Sequence, residues 1–101
     1  MVDFKQMRQL YEFQKKARQV QKELKSTEIE AKGEGVMVVF DGEQHLQSIE
    51  IDPIMLSEDK KRQLEDSLKK TITEAISRVQ ALAAEKSKDI MKGMGLNIPG
   101  I

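Results

Sequence analysis

The apolar residues of this 101-residue chain change their spacing twice along its length, and this limits the folds open to it. From Leu10 to Leu24 they recur every three or four residues, which predicts an amphipathic helix. Between residues 27 and 51 they come in short runs separated by turn residues, which predicts strands. From Leu64 to Ala83 the helical spacing returns. The pattern predicts an α+β domain with the element order α-β-β-β-α.

The first helix is predicted over residues 4–26. Asp3 and Gln6 form a plausible capping pair at its start, and neither glycine nor proline occurs before residue 33. Its apolar residues follow the a/d spacing of a coiled-coil seam and are too few to stabilise an isolated helix. The seam consists of Leu10, Phe13, Ala17, Val20 and Leu24.

The middle of the chain predicts a three-stranded antiparallel meander. A weak strand over residues 27–31 is followed by a glycine-rich turn at 33–35 and by the β-branched run Val36–Phe40. Asp41-Gly42 predicts a two-residue hairpin turn. The third strand alternates imperfectly and is expected to end at Asp52-Pro53. Its apolar residues are Leu46, Ile49 and Ile51.

The second helix is predicted to start at Ser57 as N-cap and to continue to about Lys92, with Gly93 as its stop. Acidic residues in its first turn suit the helix dipole. Residues 1–92 are therefore expected to form a single domain. Residues 93–101 are expected to form a flexible tail that contains glycine and proline.

The composition predicts a partner for this domain. Only 39% of the residues are hydrophobic and 34% are charged, so a chain this short has little apolar surface to bury. We expect a second copy of the chain to complete the core. The chain contains no cysteine, which excludes disulfides and thiolate chemistry and fits a reducing cytoplasm. Its apolar runs are too short for a membrane span, and charged residues stand where a signal peptide would be apolar.

The residue types for catalysis are sparse. His45, the only histidine, falls in a predicted strand and is expected at the surface there, and no nucleotide-loop, zinc-protease or hydrolase motif occurs. The acidic residues of the middle segment are expected on a solvated sheet face, where they need no metal. We therefore expect that the protein is not an enzyme and that it binds no cofactor, no metal and no small-molecule substrate.

Positive charge is concentrated at the two ends of the chain. Net charge is +4 over residues 1–26, −6 over residues 27–56 and +2 over residues 57–101, although 17 basic and 17 acidic residues cancel overall. On the first helix the basic residues form one stripe opposite the apolar seam. Two interpretations are open: phosphate contacts to a polyanion, or the solvated outer face of a coiled coil. The stripe contains Arg8, Tyr11, Lys15, Arg18, Lys22 and Lys25; secondary candidates at the end of the second helix are Lys86, Lys88 and Lys92.

The order of these elements closely resembles the YbaB/EbfC family of nucleoid-associated proteins. The similarity covers nearly the whole chain, and its most specific part is the strand that ends in Ile51-Asp52-Pro53, followed by Leu56 and the second helix. The turn at residues 33–35 has a shorter glycine cluster than the family usually shows. The resemblance implies a tweezer-like homodimer joined through the sheet region. It also implies binding to double-stranded DNA with little sequence specificity, on the nucleoid in the bacterial cytoplasm.

Two other functions remain compatible with the sequence. The element order helix, hairpin, helix also occurs in the subunits of prefoldin-like chaperones. In those proteins the helices pair, and apolar residues at their tips bind client proteins. A recombination or repair accessory would bind DNA as well and would show the same basic stripe. DNA binding by basic helical arms, with consequences for DNA compaction and gene expression, is the leading hypothesis.

Overall fold

A computed structural model, which describes residues 3–93, places the first helix, α1, at Phe4–Ser26, as predicted. Asp3 is its N-cap, and the Asp3 carboxylate accepts a hydrogen bond from the backbone N–H of Lys5 at 3.2 Å. This bond satisfies one of the free donors that every helix start exposes. At 1.5 Å per residue, the 23 residues of α1 make a rod about 35 Å long.

Three strands follow as an antiparallel meander in the order β1-β2-β3, which confirms the predicted fold class. Strand β1 is Glu28–Gly33, β2 is Val36–Asp41 and β3 is Leu46–Ile51. The turn between β1 and β2 uses Gly35 with φ at +68°, a conformation that suits glycine. The sheet is open, and β3 forms one of its edges.

The imperfect alternation of β3 reflects an irregular register with β2. Val39 lies opposite Ser48, but the next residue, Phe40, lies opposite Leu46, so Gln47 has no partner across the strand. An extra residue of this kind is a β-bulge. Because the bulge absorbs Gln47, Leu46 and Ile49 lie on the same face of the sheet although they are three residues apart.

The turn between β2 and β3 differs from the predicted two-residue hairpin. The strands are joined by residues 42–45, and the left-handed residue is Gln44 with φ at 69° rather than Gly42. The backbone N–H of Asp41 donates to the carbonyl of His45 at 2.9 Å and closes a longer loop. His45 therefore lies in the turn, before β3 begins. Its side chain is exposed, as expected.

Gly42 is required by a long-range contact rather than by turn geometry. Its N–H donates to the Leu24 carbonyl of α1 at 2.7 Å, and a Cβ at this position would lie 2.5 Å from that same oxygen. Only a residue without a side chain lets the turn approach the helix so closely. This contact joins the last turn of α1 to the sheet.

The second helix, α2, spans Lys61–Gly93 and starts later than predicted. Ser57 instead caps a 3₁₀ turn, Glu58–Lys60, which leads directly into α2. Gly93 is the last residue of α2, so the predicted tail loses its first residue. The remainder, residues 94–101, lies outside the described part of the chain.

The core lies between α2 and the first two strands. Ala75 and Val79 of α2 pack on Ala31, Val38 and Phe40 of the sheet, and all five are buried. Burial of each of the larger side chains, valine and phenylalanine, contributes roughly 1.5–3 kcal/mol to the free energy of folding. Within residues 3–93, no helix combines the length and the apolarity that a bilayer crossing requires.

Candidate nucleic-acid interface

Helices α1 and α2 lie side by side and run antiparallel. The Lys86 Nζ is 3.4 Å from a carboxylate oxygen of Glu23, and the Lys16 Nζ donates to the Gly93 carbonyl at 3.1 Å. Seven residues separate the two contacts on each helix, so the helices keep one register over two turns. Residues 4–15 of α1 therefore extend about 18 Å beyond Gly93.

The apolar seam of α1 is covered only in its second half. Ala17, Val20 and Leu24 are half-buried, whereas Leu10 and Phe13 are exposed. Although all of α1 is described, none of its residues is buried. The helix is thus attached to the domain through its C-terminal half, and no other element within residues 3–93 covers its N-terminal half.

The predicted basic stripe is present on the surface of α1. We call its basic residues the cationic line; they are Arg8, Lys15, Arg18, Lys22 and Lys25. All five are exposed. At 100° per residue they cover a sector of about 100° centred opposite the seam, and the carboxylates of Glu12 and Glu23 fall outside that sector.

A shallow groove of about 400 Å³ runs along this face of α1. Its lining combines three basic side chains with amides and one aromatic ring, and it contains no carboxylate. The basic side chains of such a surface can donate charge-assisted hydrogen bonds to phosphate oxygens. The lining residues are Tyr11, Gln14, Lys15, Arg18, Gln19 and Lys22.

The structure separates the three secondary candidates on α2. Lys86 is half-buried and paired with Glu23, so it holds the two helices together. Lys88 and Lys92 are exposed. Since they lie about 200° and 240° around the helix from Lys86, they point away from α1. Within residues 3–93, Lys86 forms an ion pair, whereas Lys88 and Lys92 form none.

The acidic middle segment contains one carboxylate that is not solvated, contrary to the prediction. Asp41 is 5% exposed, and its carboxylate accepts hydrogen bonds from the N–H of Glu43 at 2.8 Å, the N–H of His45 at 3.0 Å and the Gln47 amide at 3.0 Å. The His45 N–H is the main cause that holds the pKa of Asp41 below its ordinary value of 3.8, while burial acts in the opposite direction. Asp41 is therefore a structural residue of the turn.

Asp41 also brings Glu43 and His45 together, with donor atoms within 4.8 Å of one another. The His45 Nδ1 is 3.3 Å from the second Asp41 oxygen and 3.9 Å from Glu43. Because both Asp41 oxygens already accept hydrogen bonds within the turn, the closure of the turn accounts for the cluster.

One residue of this surface was missed by the sequence analysis. Phe4 lies four residues before Arg8 and continues the three/four spacing of the stripe by one turn. Its ring is 85% exposed. The spacing alone was sufficient to find it, because the same rule that connects Arg8 to Tyr11 and Lys15 extends back to Phe4.

The chain is similar to proteins associated with the bacterial nucleoid. The profile of the YbaB/EbfC DNA-binding family matches residues 1–94. A nucleoid-associated protein of Rhizobium meliloti is 30% identical over 99 residues, which covers 92% of each chain. A nucleoid-associated protein of Agrobacterium fabrum is 33% identical over 92 residues and covers 89% of this chain and 86% of its own length.

A solved structure has the same fold. The crystal structure of an uncharacterised protein from Helicobacter pylori superposes with a TM-score of 0.78 and covers 90% of this chain and 99% of its own. The two sequences are 21% identical. The likeness supports the arrangement of helices and strands described above.

Proposed function

Because this chain belongs to the YbaB/EbfC DNA-binding family, we propose that it is a nucleoid-associated protein that binds double-stranded DNA with low sequence specificity. It acts on the nucleoid in the bacterial cytoplasm, where its binding changes DNA compaction and gene expression. The family match extends over residues 1–94 and so includes both helices, which argues against the prefoldin-like alternative.

The cationic line of α1 is the observation that carries this proposal. Its five side chains extend over about 26 Å of the helix, with no carboxylate among them. Lysine and arginine bind phosphates and release condensed counterions, which gives affinity without reading the bases. Lys88 and Lys92 add secondary contacts to the phosphates. Lys86, the third candidate on α2, is paired with Glu23 and contributes mainly to the contact between the two helices.

A homodimer is supported by the uncovered part of the sheet. The face that packs on α2 continues onto β3, where Leu46 and Ile49 are 46% and 43% exposed. Ile54 and Leu56, just after β3, are exposed as well. A second copy that covers this surface would bury it and would bring two α1 helices into one tweezer-like body. The two cationic lines would then contact one duplex together.

A charge reversal tests the proposal. The variant Lys15→Glu, Arg18→Glu, Lys22→Glu is expected to weaken binding to a duplex oligonucleotide more than about tenfold, because it replaces phosphate-binding cations with repelling carboxylates. Fluorescence anisotropy at fixed salt measures the affinity. Circular dichroism and size-exclusion mass confirm that the variant keeps its fold and its oligomeric state.

A matched variant controls for the change in net charge. Lys61→Glu, Arg62→Glu, Lys69→Glu replaces the same residue types on the exposed side of α2. We expect its affinity to fall less than about threefold, since distant charges are screened by salt. Equal losses in the two variants would show that net charge, and not the cationic line, governs binding.

A further inference from the structure

Two aromatic rings lie on the face of α1 that carries the cationic line, Tyr11 within the line and Phe4 one turn before it. Phe4, Arg8, Tyr11 and Lys15 succeed one another at intervals of four, three and four residues, so the rings lie on the same face as the charges. The ring of Phe4 is 85% exposed and that of Tyr11 is 66% exposed. The two rings are about 10 Å apart along the helix axis.

These positions are unusual for aromatic residues in this chain. It has four aromatic residues, of which Phe40 is in the core and Phe13 is on the apolar seam. The other two lie on the charged face, where the described part of the chain has nothing to cover them. An exposed ring next to a cation gives little stability to this domain, but it can supply a stacking surface to a ligand.

The groove on α1 defines the chemistry of that ligand. Tyr11 forms part of the lining together with Lys15, Arg18 and Lys22, and no carboxylate is present. Three cations beside one ring match a polyanion that also carries exposed flat groups. An intact duplex offers phosphates but keeps the faces of its bases stacked inside, whereas a single strand offers both.

We propose that α1 binds single-stranded DNA, with Tyr11 and Phe4 stacking on unpaired bases while the cationic line contacts the backbone. The inference builds on the proposed function, because the same cations hold the phosphates of either form of DNA. It adds single-stranded DNA as a ligand, because the cations alone do not distinguish single strands from duplex. The protein then binds melted or single-stranded segments in addition to duplex.

Removal of the rings tests this inference. The double variant Phe4→Leu, Tyr11→Leu keeps the charges and the apolar character of the surface. Because the variant removes both surfaces on which bases can stack, we expect affinity for a single-stranded oligonucleotide to fall more than about tenfold. Affinity for a duplex of the same sequence should change less than about threefold. Anisotropy with labelled oligonucleotides measures both.

Two further variants separate stacking from other roles of the rings. Tyr11→Phe keeps the ring and removes the hydroxyl, and it should bind single strands within about twofold of the original chain. Phe13→Leu removes a ring from the seam, outside the cationic line, and should leave both affinities unchanged. Size-exclusion mass shows whether the loss of the rings disrupts an assembly instead.

The chain supplies its own spectroscopic probe for this contact. It contains one tyrosine and no tryptophan, so its intrinsic fluorescence comes from Tyr11. Unlabelled single-stranded DNA should quench this emission, and the duplex should quench it much less. Equal quenching by both forms would overturn the inference.

The remaining outcomes are also decisive. Equal loss of both affinities in the double variant, no loss for single strands, or a change in mass on removal of the rings would each overturn single-strand stacking. Duplex binding that survives in these cases would leave the proposed function intact. If the original chain binds neither form of DNA, both proposals are wrong.

Discussion

Helices α1 and α2 have similar three/four patterns in sequence but very different surroundings in the fold. The stripe of α2 that includes Ala75 and Val79 is buried against the sheet, whereas none of the residues of α1, a helix described in full, is buried. The difference follows from how each helix meets the sheet: α2 crosses β1 and β2, whereas within residues 3–93 α1 contacts the rest of the domain only through its C-terminal half. An amphipathic pattern therefore shows that a helix has an apolar face, but it does not show what covers that face. In this molecule α2 maintains the fold, and α1 presents a surface.

The largest contrast between the helices is expected when one apolar residue of each helix is replaced with aspartate. Val79→Asp places an unpaired carboxylate in the core, where Val79 is fully buried, and should cost more than about 4 kcal/mol and unfold the domain. Leu10→Asp makes the same kind of change at an exposed position of α1 and should alter the free energy of unfolding by less than about 0.5 kcal/mol. Urea unfolding followed by circular dichroism measures both. Unfolding of both variants would show that α1 is buried in solution to the same degree as α2.

A methyl group at the contact between α1 and the sheet should have a smaller effect. In Gly42→Ala the new Cβ would meet the backbone of Leu24, which cannot move without shifting the helix, so we expect a loss of roughly 1–3 kcal/mol. Gly93→Ala is the matched control, because its Cβ would meet only the flexible end of Lys16. Its free energy of unfolding should change by less than about 0.5 kcal/mol. Equal losses would contradict a close contact specific to Gly42.

The smallest effect is expected at Asp41, and it should decrease in acid. The folded turn lowers the pKa of this carboxyl, mainly through the N–H of His45, so ionised Asp41 stabilises the fold at pH values above its ordinary 3.8. That contribution is lost as the pH falls from about 3.8 through the lowered pKa. Asp41→Asn cannot titrate, so its deficit in the free energy of unfolding should be largest near neutral pH and should shrink below pH 3.8.

Urea unfolding between about pH 7 and pH 2 measures this deficit. Asp66→Asn, at an exposed carboxylate of α2, controls for the loss of one negative charge. A deficit for Asp41→Asn that stays constant over the whole range would show that titration of Asp41 does not contribute.

Local signals in the sequence were enough to predict the helices and strands. Asp3 indicated the start of α1, the absence of glycine and proline before residue 33 allowed an unbroken helix, and the spacing of the basic residues located the cationic line. Phe4 followed from the same spacing and was overlooked. These features depend on residues a few positions apart, which is the range over which propensity and periodicity act.

Three other features depend on contacts between residues that are distant in the sequence. Gly42 predicted a tight hairpin, but its neighbour in space is Leu24 of α1, and the left-handed residue is Gln44. The alternation of β3 was irregular because Gln47 bulges from a register that depends on β2. Lys86 looked like a free cation because Glu23, its partner, lies on the other helix and far away in the sequence. Such pairings are decided by packing, which local patterns do not encode.

The salt dependence of duplex binding tests the central claim most directly. The logarithm of the association constant should fall linearly with the logarithm of salt concentration, with a slope of about −0.9 for each phosphate neutralised. Neutralising Lys15, Arg18 and Lys22 with glutamine should make this slope less steep by about 0.9 for each phosphate that no longer has a cation beside it. The matched variant Lys61→Gln, Arg62→Gln, Lys69→Gln should leave the slope unchanged. If both triple variants keep the slope of the original chain, the cationic line of α1 does not contact the phosphates, and the proposed interface is wrong.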